Sequence, residues 1–221
     1  MHKLHLQTIH EQVNHEGNPT VFAYQDTTNL EPLPVPSSWK ELVSAPDAGL
    51  RAAGMVWGPL ARLLPRTITM LSRCVQDAAI VLTESKPPSL VYIMQEGDLV
   101  LARRGYLPTT EMPDISRRFS VDLHPLYSVH NGWINLYSDD SGPLPTSDWR
   151  PIGTDLKTAL HPIFWQSGSA LGFQISETPA ACYMLWSDGD VQRIVDFWKQ
   201  LDDLLYAPLR GLDLHPKYKT P

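Results

Sequence analysis

The chain reads as an α+β fold: a twisted, mostly antiparallel sheet flanked by helices. Three observations predict this. The 221 residues are 43% hydrophobic, enough to bury a continuous core. Apolar residues recur at three- and four-residue steps towards both ends of the chain. Between them lie short β-branched and aromatic runs separated by Gly-containing turns, the order expected of antiparallel strands with helices to either side.

Taken in order, residues 4–13 read as a strand or irregular arm and 20–25 as a short strand. Ser38 stands three residues before Glu41, a capping-box pattern that predicts a helix over 38–45. Asp47 then caps a second helix running to Leu64, where Pro65 stops it. Ile68, Leu71, Val75, Ala78 and Leu82 line one helical face and predict a helix over 67–84, ended by Lys86-Pro87-Pro88. Leu90–Met94 and Leu99–Arg103 flank Glu96-Gly97-Asp98 as a hairpin, and 105–120 is irregular. Asp122 caps a short helix over 123–130, which Asn131-Gly132 closes. Residues 163–176 are two strands or one bulged strand, and 178–190 hold another. The stripe Val191, Ile194, Val195, Trp198, Leu201 and Leu205 predicts a last helix with Asp190 as its N-cap. In domain terms, 1–115 is a helical and hairpin region packed on a core formed by 116–221.

The net charge of −6 is uneven. Residues 121–221 hold seven Lys/Arg against twelve Asp/Glu, whereas 1–120 hold eleven against twelve. An acidic C-terminal half without a basic stripe argues against direct nucleic-acid binding and fits a basic protein partner. No window approaches the roughly 20 apolar residues that cross a bilayer. The N-terminus has no apolar run of signal-peptide length, so a soluble cytoplasmic protein is expected. Cys74 and Cys182 stand apart from any CxxC or His spacing and read as buried, reduced thiols.

Motifs of catalysis and cofactor binding are absent: there is no GxSxG, GxxxxGK[ST], GxGxxG or HExxH. A trio of Ser141, His130 and Asp148 can be written down, but eight histidines permit many such trios. The N-terminal histidines at 2, 5, 10 and 15 match neither a helical face nor strand alternation and read as a solvated arm; no metal or cofactor is expected. The pair Asp202-Asp203 reads as a solvated helix face. Trp133, Trp149, Trp165, Trp186 and Trp198 fall at apolar positions, and Trp39 and Trp57 lie on the early helices. Trp133, beside the end of a helix, is also a candidate anchor for a partner.

A helix closing on Asn131-Gly132 is followed by Leu144-Pro145 and Trp149-Arg150-Pro151-Ile152. Then come the glycine-interrupted pair at 163–176, Tyr183-Met184-Leu185-Trp186, and a last helix with Phe197-Trp198 and Leu204-Leu205. This succession, over residues 120–207, resembles the SUKH superfamily, composed largely of bacterial immunity proteins that neutralise toxin domains. Asn131-Gly132-Trp133 stands where the family often has NGG, and Phe173-Gln174-Ile175 where it often has an acidic residue. The resemblance implies a non-enzymatic protein that binds a cognate, basic toxin domain and occludes its active site. Asp139, Asp140, Asp148, Asp155, Asp188 and Asp190, in turns and loops, are the candidate steering charges, with Trp133 beside them. An adaptor of the same fold, or an enzyme without a recognisable motif, are the alternatives.

Overall fold

The structure is a computed structural model that describes residues 3–24, 30–138, 141–153 and 159–210. Strand follows strand through space in nearly the order of the chain. The first sheet runs β1 (Thr20–Ala23), β2 (Val75–Leu82), β3 (Ser89–Glu96), β4 (Leu99–Tyr106) and β5 (Trp133–Asn135), each on its neighbour. The second runs β6 (Gly142–Pro143), β7 (Leu160–Gln166), β8 (Ser169–Gln174), β9 (Ala181–Leu185) and β10 (Val191–Ile194). Every named pair is antiparallel. The fold is therefore α+β with antiparallel pairing, but in two sheets where the sequence suggested one. They meet where β5 turns into β6: the Asn135 N–H donates to the Ser141 carbonyl at 2.8 Å.

The N-terminal arm is helical, contrary to expectation. α1 (Lys3–Val13) carries Leu6, Ile9 and Val13 at three- and four-residue steps, and Ile9 and Val13 are buried with Ala79, Val81, Val91, Ile93 and Ala102 on one face of the first sheet. The interleaved His10 and His15 are exposed. α2 (Ser37–Val43) lies where the capping box placed a helix, although no side-chain bond caps it. The next expected helix breaks into α3 (Ala48–Arg51), a π-helical turn (Ala52–Val56) and a 3-10 turn (Gly58–Leu60). Asp47 caps nothing there; its carboxylate pairs with Arg51 at 2.7 Å.

Pro65 opens α4 (Pro65–Cys74) instead of closing its predecessor, because a proline at the first helical position gives up an N–H that has no partner in the helix anyway. The next two N–H groups, of Arg66 and Thr67, donate to Asp202 at 3.0 and 2.8 Å, and the Thr67 hydroxyl adds a bond of 2.7 Å. Asp202 comes from α6 (Phe197–Arg210) and is buried, so it is a cap lent by a distant helix and no solvated side chain. The helix predicted over 67–84 ends at Cys74, and Val75–Leu82 is strand. Ala78, Ala79, Ile80 and Val81 are all buried, so this strand is covered on both faces. Covered strands lose their alternation, and the remaining apolar positions fell by coincidence on a helical spacing.

The hairpin stands as expected, with Gly97 at φ +58° in its turn. α5 (His124–Tyr127) is short; the Asp122 carboxylate accepts its first N–H at 2.9 Å. Gly132 takes φ +90° against Pro145, where an added Cβ would meet the proline nitrogen at 2.7 Å. Residues 163–176 resolve into two strands, with Ser167 and Gly168 turning between them. The last stripe divides: Val191–Ile194 is strand, and the helix starts at Phe197. Asp196, not Asp190, accepts from the first turn, at 3.0 Å from the Lys199 N–H.

One core joins the two regions that the sequence separated at 115. Trp39, Trp57 and Tyr92 from the first half pack in one cluster with Trp133, Phe164, Phe173, Phe197 and Leu205 from the second. The division also cuts the first sheet, since β5 pairs with β4 through Gly105↔Trp133. Trp39, Trp57, Trp133, Trp149 and Trp186 are buried, and Trp165 and Trp198 are half-buried. Both cysteines are buried and outside any disulfide, and burial pushes the Cys182 thiol up to about 12.

Candidate protein-binding surface

His130 is the most enclosed titratable group among the described residues that sequence reading linked to catalysis. Its Nε2 lies 2.6 Å from the Tyr92 hydroxyl and its Nδ1 lies 3.2 Å from the Tyr106 carbonyl. Tyr92 in turn accepts from Trp57 Nε1 at 3.1 Å. The direction of this relay follows from its far end: the Tyr106 carbonyl can only accept, so Nδ1 carries the proton, and Nε2 of the neutral ring accepts from the Tyr92 hydroxyl. Trp39 and Trp57 stand 5.4 and 5.5 Å away, ring to ring. Burial lowers the imidazole to about 3, and it is neutral in the fold. Both nitrogens are committed to the core, and neither faces Ser141 or Asp148. Gly105 is what lets the ring in, since an added Cβ would lie 2.4 Å from Nδ1.

Trp133 belongs to the same interior. It is 1% exposed and lies edge-on to Trp57 at 4.7 Å, with the Arg103 guanidinium 5.6 Å above its ring. As a partner anchor it is corrected: a ring sealed on both sides holds the sheets together and touches nothing outside. Arg103 reaches the Ser141 carbonyl, and burial brings its guanidinium down to about 10, which leaves it charged at neutral pH.

The acids divide. Asp139, Asp140 and Asp155 lie outside the described residues. Asp148 is exposed at the end of a 3-10 turn (Thr146–Asp148), beside a groove shared with Lys86, Tyr106 and Asn131. Asp188 and Asp190 are exposed in the turn between β9 and β10, where the Asp190 N–H donates to the Asp188 carboxylate at 3.1 Å and Gly189 takes φ +91°. This turn and the Asp148 groove lie on different parts of the fold, the first at the outer rim of the second sheet and the second beside β4 and β5.

Sequence reading missed the residues that surround that rim. Val191 is 64% and Val195 fully exposed, although the helical stripe had assigned both to the core. Asp196 is exposed at the other end of β10. Arg193 lies 3.5 Å from Glu177, whose other oxygen accepts from the Tyr183 hydroxyl at 2.7 Å. A groove of about 670 Å³ runs beside them, between Ser120, Pro179, Cys182 and Val195. The available signal was Asp188-Gly189: a turn dipeptide one residue short of Val191 favours a hairpin over a helix start.

The chain matches no protein-family model, no curated protein and no solved structure. Among the described residues, no group of three or more His, Cys, Asp or Glu is placed to hold a metal ion, and no helix is long and apolar enough to cross a membrane.

Proposed function

We propose that the protein is a cytoplasmic immunity protein of the SUKH type, which binds a cognate toxin domain and occludes its active site without catalysis of its own. One observation carries this reading: apolar Val191 and Val195 stand exposed between Asp188, Asp190 and Asp196 on the rim of the second sheet. Apolar side chains left in water amid carboxylates are suited to contact a basic surface, which the charges attract and the valines hold. The residues that carry the family resemblance support it from within. Gly132 closes on Pro145, Trp149 packs edge-on to Tyr127 at 5.0 Å, and Phe173 lies 5.5 Å from Phe197, so they serve as scaffold and leave the acids outside.

The test is co-expression with the products of neighbouring genes, among which a cognate toxin domain is expected. Growth protection and a stable complex on gel filtration are expected; unrelieved toxicity with the protein well expressed would remove the proposal. An adaptor would give a complex with some other protein and no protection. The steering charges are tested by the double variant Asp139→Lys, Asp140→Lys. It should slow association by about tenfold at low salt, and the difference should vanish near 1 M salt, where charges are screened within about 3 Å.

A further inference from the structure

Resting on that binding role, we infer that the open edge of β10 receives an extended, basic segment of the partner, which adds to the second sheet as a further strand. β10 pairs with β9 on one side, and among the described residues no strand lies on the other. The register shows which backbone groups are left facing out. Trp186 donates its N–H to the Asp190 carbonyl at 2.8 Å, so these two form a bonded pair. Bonded and non-bonded pairs alternate along an antiparallel ladder, which makes Met184 with Gln192 the next bonded pair, and Leu185 with Val191 and Tyr183 with Arg193 the non-bonded ones. Val191 and Arg193 thus turn both N–H and C=O away from β9, towards the open edge.

Edge strands are commonly blunted by a proline, a bulge or a covering element, and β10 has no proline and no register shift against β9. Its side chains on the exposed face are Val191 and Arg193, followed by Val195, an alternation that a second strand can extend. The charges choose the occupant. Asp188 and Asp190 precede the strand and Asp196 follows it, while the one cation, Arg193, is held by Glu177. A second copy of this chain is the poorer partner: in the two registers of fullest overlap, antiparallel self-pairing centred on Arg193 sets Asp190 opposite Asp196, and centring on Gln192 sets Asp188 opposite Asp196. Like charges directly opposed destabilise a strand pair. A strand with Lys or Arg at alternate positions meets carboxylates at both ends instead.

The experiment uses the full chain and two short capped peptides, one alternating Lys with Val and one alternating Glu with Val. Hydrogen exchange should show the Val191 and Arg193 amides exchanging fast in the free protein and protected by the Lys peptide alone. Arg193→Pro removes an outward N–H without touching the ladder to β9, and should weaken Lys-peptide binding by about tenfold. Asp190→Lys with Asp196→Lys should reverse the preference between the peptides, which keeps the test decisive if the proline variant unfolds. Equal binding of both peptides, protection elsewhere, or unchanged binding by either variant overturns the inference. The proposed function fails separately: growth protection retained by Arg193→Pro would discard the edge and keep the immunity role, whereas no protection by the native chain would discard the role.

Discussion

The two sheets are built alike and clothed differently. The first is covered on both faces: Ala79, Val81, Val91 and Ile93 face α1, while Ala78, Ile80, Leu90, Tyr92 and Met94 face the main core. In the second, Phe164, Leu171, Phe173 and Met184 fill the core, while on the opposite face Trp165, Tyr183 and Leu185 are half-buried and Val191, on the edge strand, is exposed. Apart from the tip of its hairpin, where Leu99 and Val100 are exposed, the first sheet has spent its apolar surface on internal contacts. The second keeps some in water, and that is where a partner has something to gain.

The largest loss of stability is expected at the ion pair that fastens the 3-10 turn after α1 (Asn14–Glu16) to the first sheet. Arg104 and Glu16 are both buried, bonded through two nitrogens at 2.6 and 2.9 Å, and Lys86 stands 3.3 Å away. Burial alone would raise the Glu16 carboxyl, but Arg104 and Lys86 outweigh it and hold it below the usual value. Arg104→Met leaves a buried carboxylate facing a methyl group and should cost about 3–5 kcal/mol in urea unfolding. A loss below 1 kcal/mol would mean that this turn is not held by the pair.

The next effect is one of pH. His130 is neutral in the fold, with its pKa lowered by burial to about 3 from an ordinary 6.5. Between these values the unfolded chain binds the extra proton, so stability is complete above pH 6.5 and declines as pH falls towards 3. The loss at pH 5 relative to pH 7.5 should be about 2 kcal/mol, with His161, also lowered by burial, adding in the same direction. Unfolding midpoints that coincide at the two pH values would show that the core admits the charged ring. The smallest effect belongs to the open side: Val191→Thr should change stability by no more than about 0.5 kcal/mol. A larger loss would show that this rim is structural, and the contrast between the sheets would fall.

Legibility followed the same division. The hairpin at 90–103, the turn at Asn131-Gly132 and the strand pair in 163–176 were readable, because turn residues with positive φ or tight reversals leave a local chemical mark. β2 was misread as helix because burial on both faces erases the period of two. β10 was misread because Val191, Ile194 and Val195 happen to match a helical spacing, although two of the three are exposed. The candidate site suffered more than the fold. Trp133, read both as an apolar position and as a candidate partner anchor, lies in the core, and the exposed valines were assigned inwards.

What this chain determined locally is its class: apolar content, short strands, glycine turns and an acidic second half need only neighbours in sequence to take effect. Tertiary structure alone decided that Asp202 caps a helix 135 residues away, that His130 is sealed among indoles, and that β10 ends the sheet with its backbone turned outwards. The reason is physical. A side chain's burial and its hydrogen-bond partner depend on what the rest of the chain brings against it, and no spacing along the backbone contains that information.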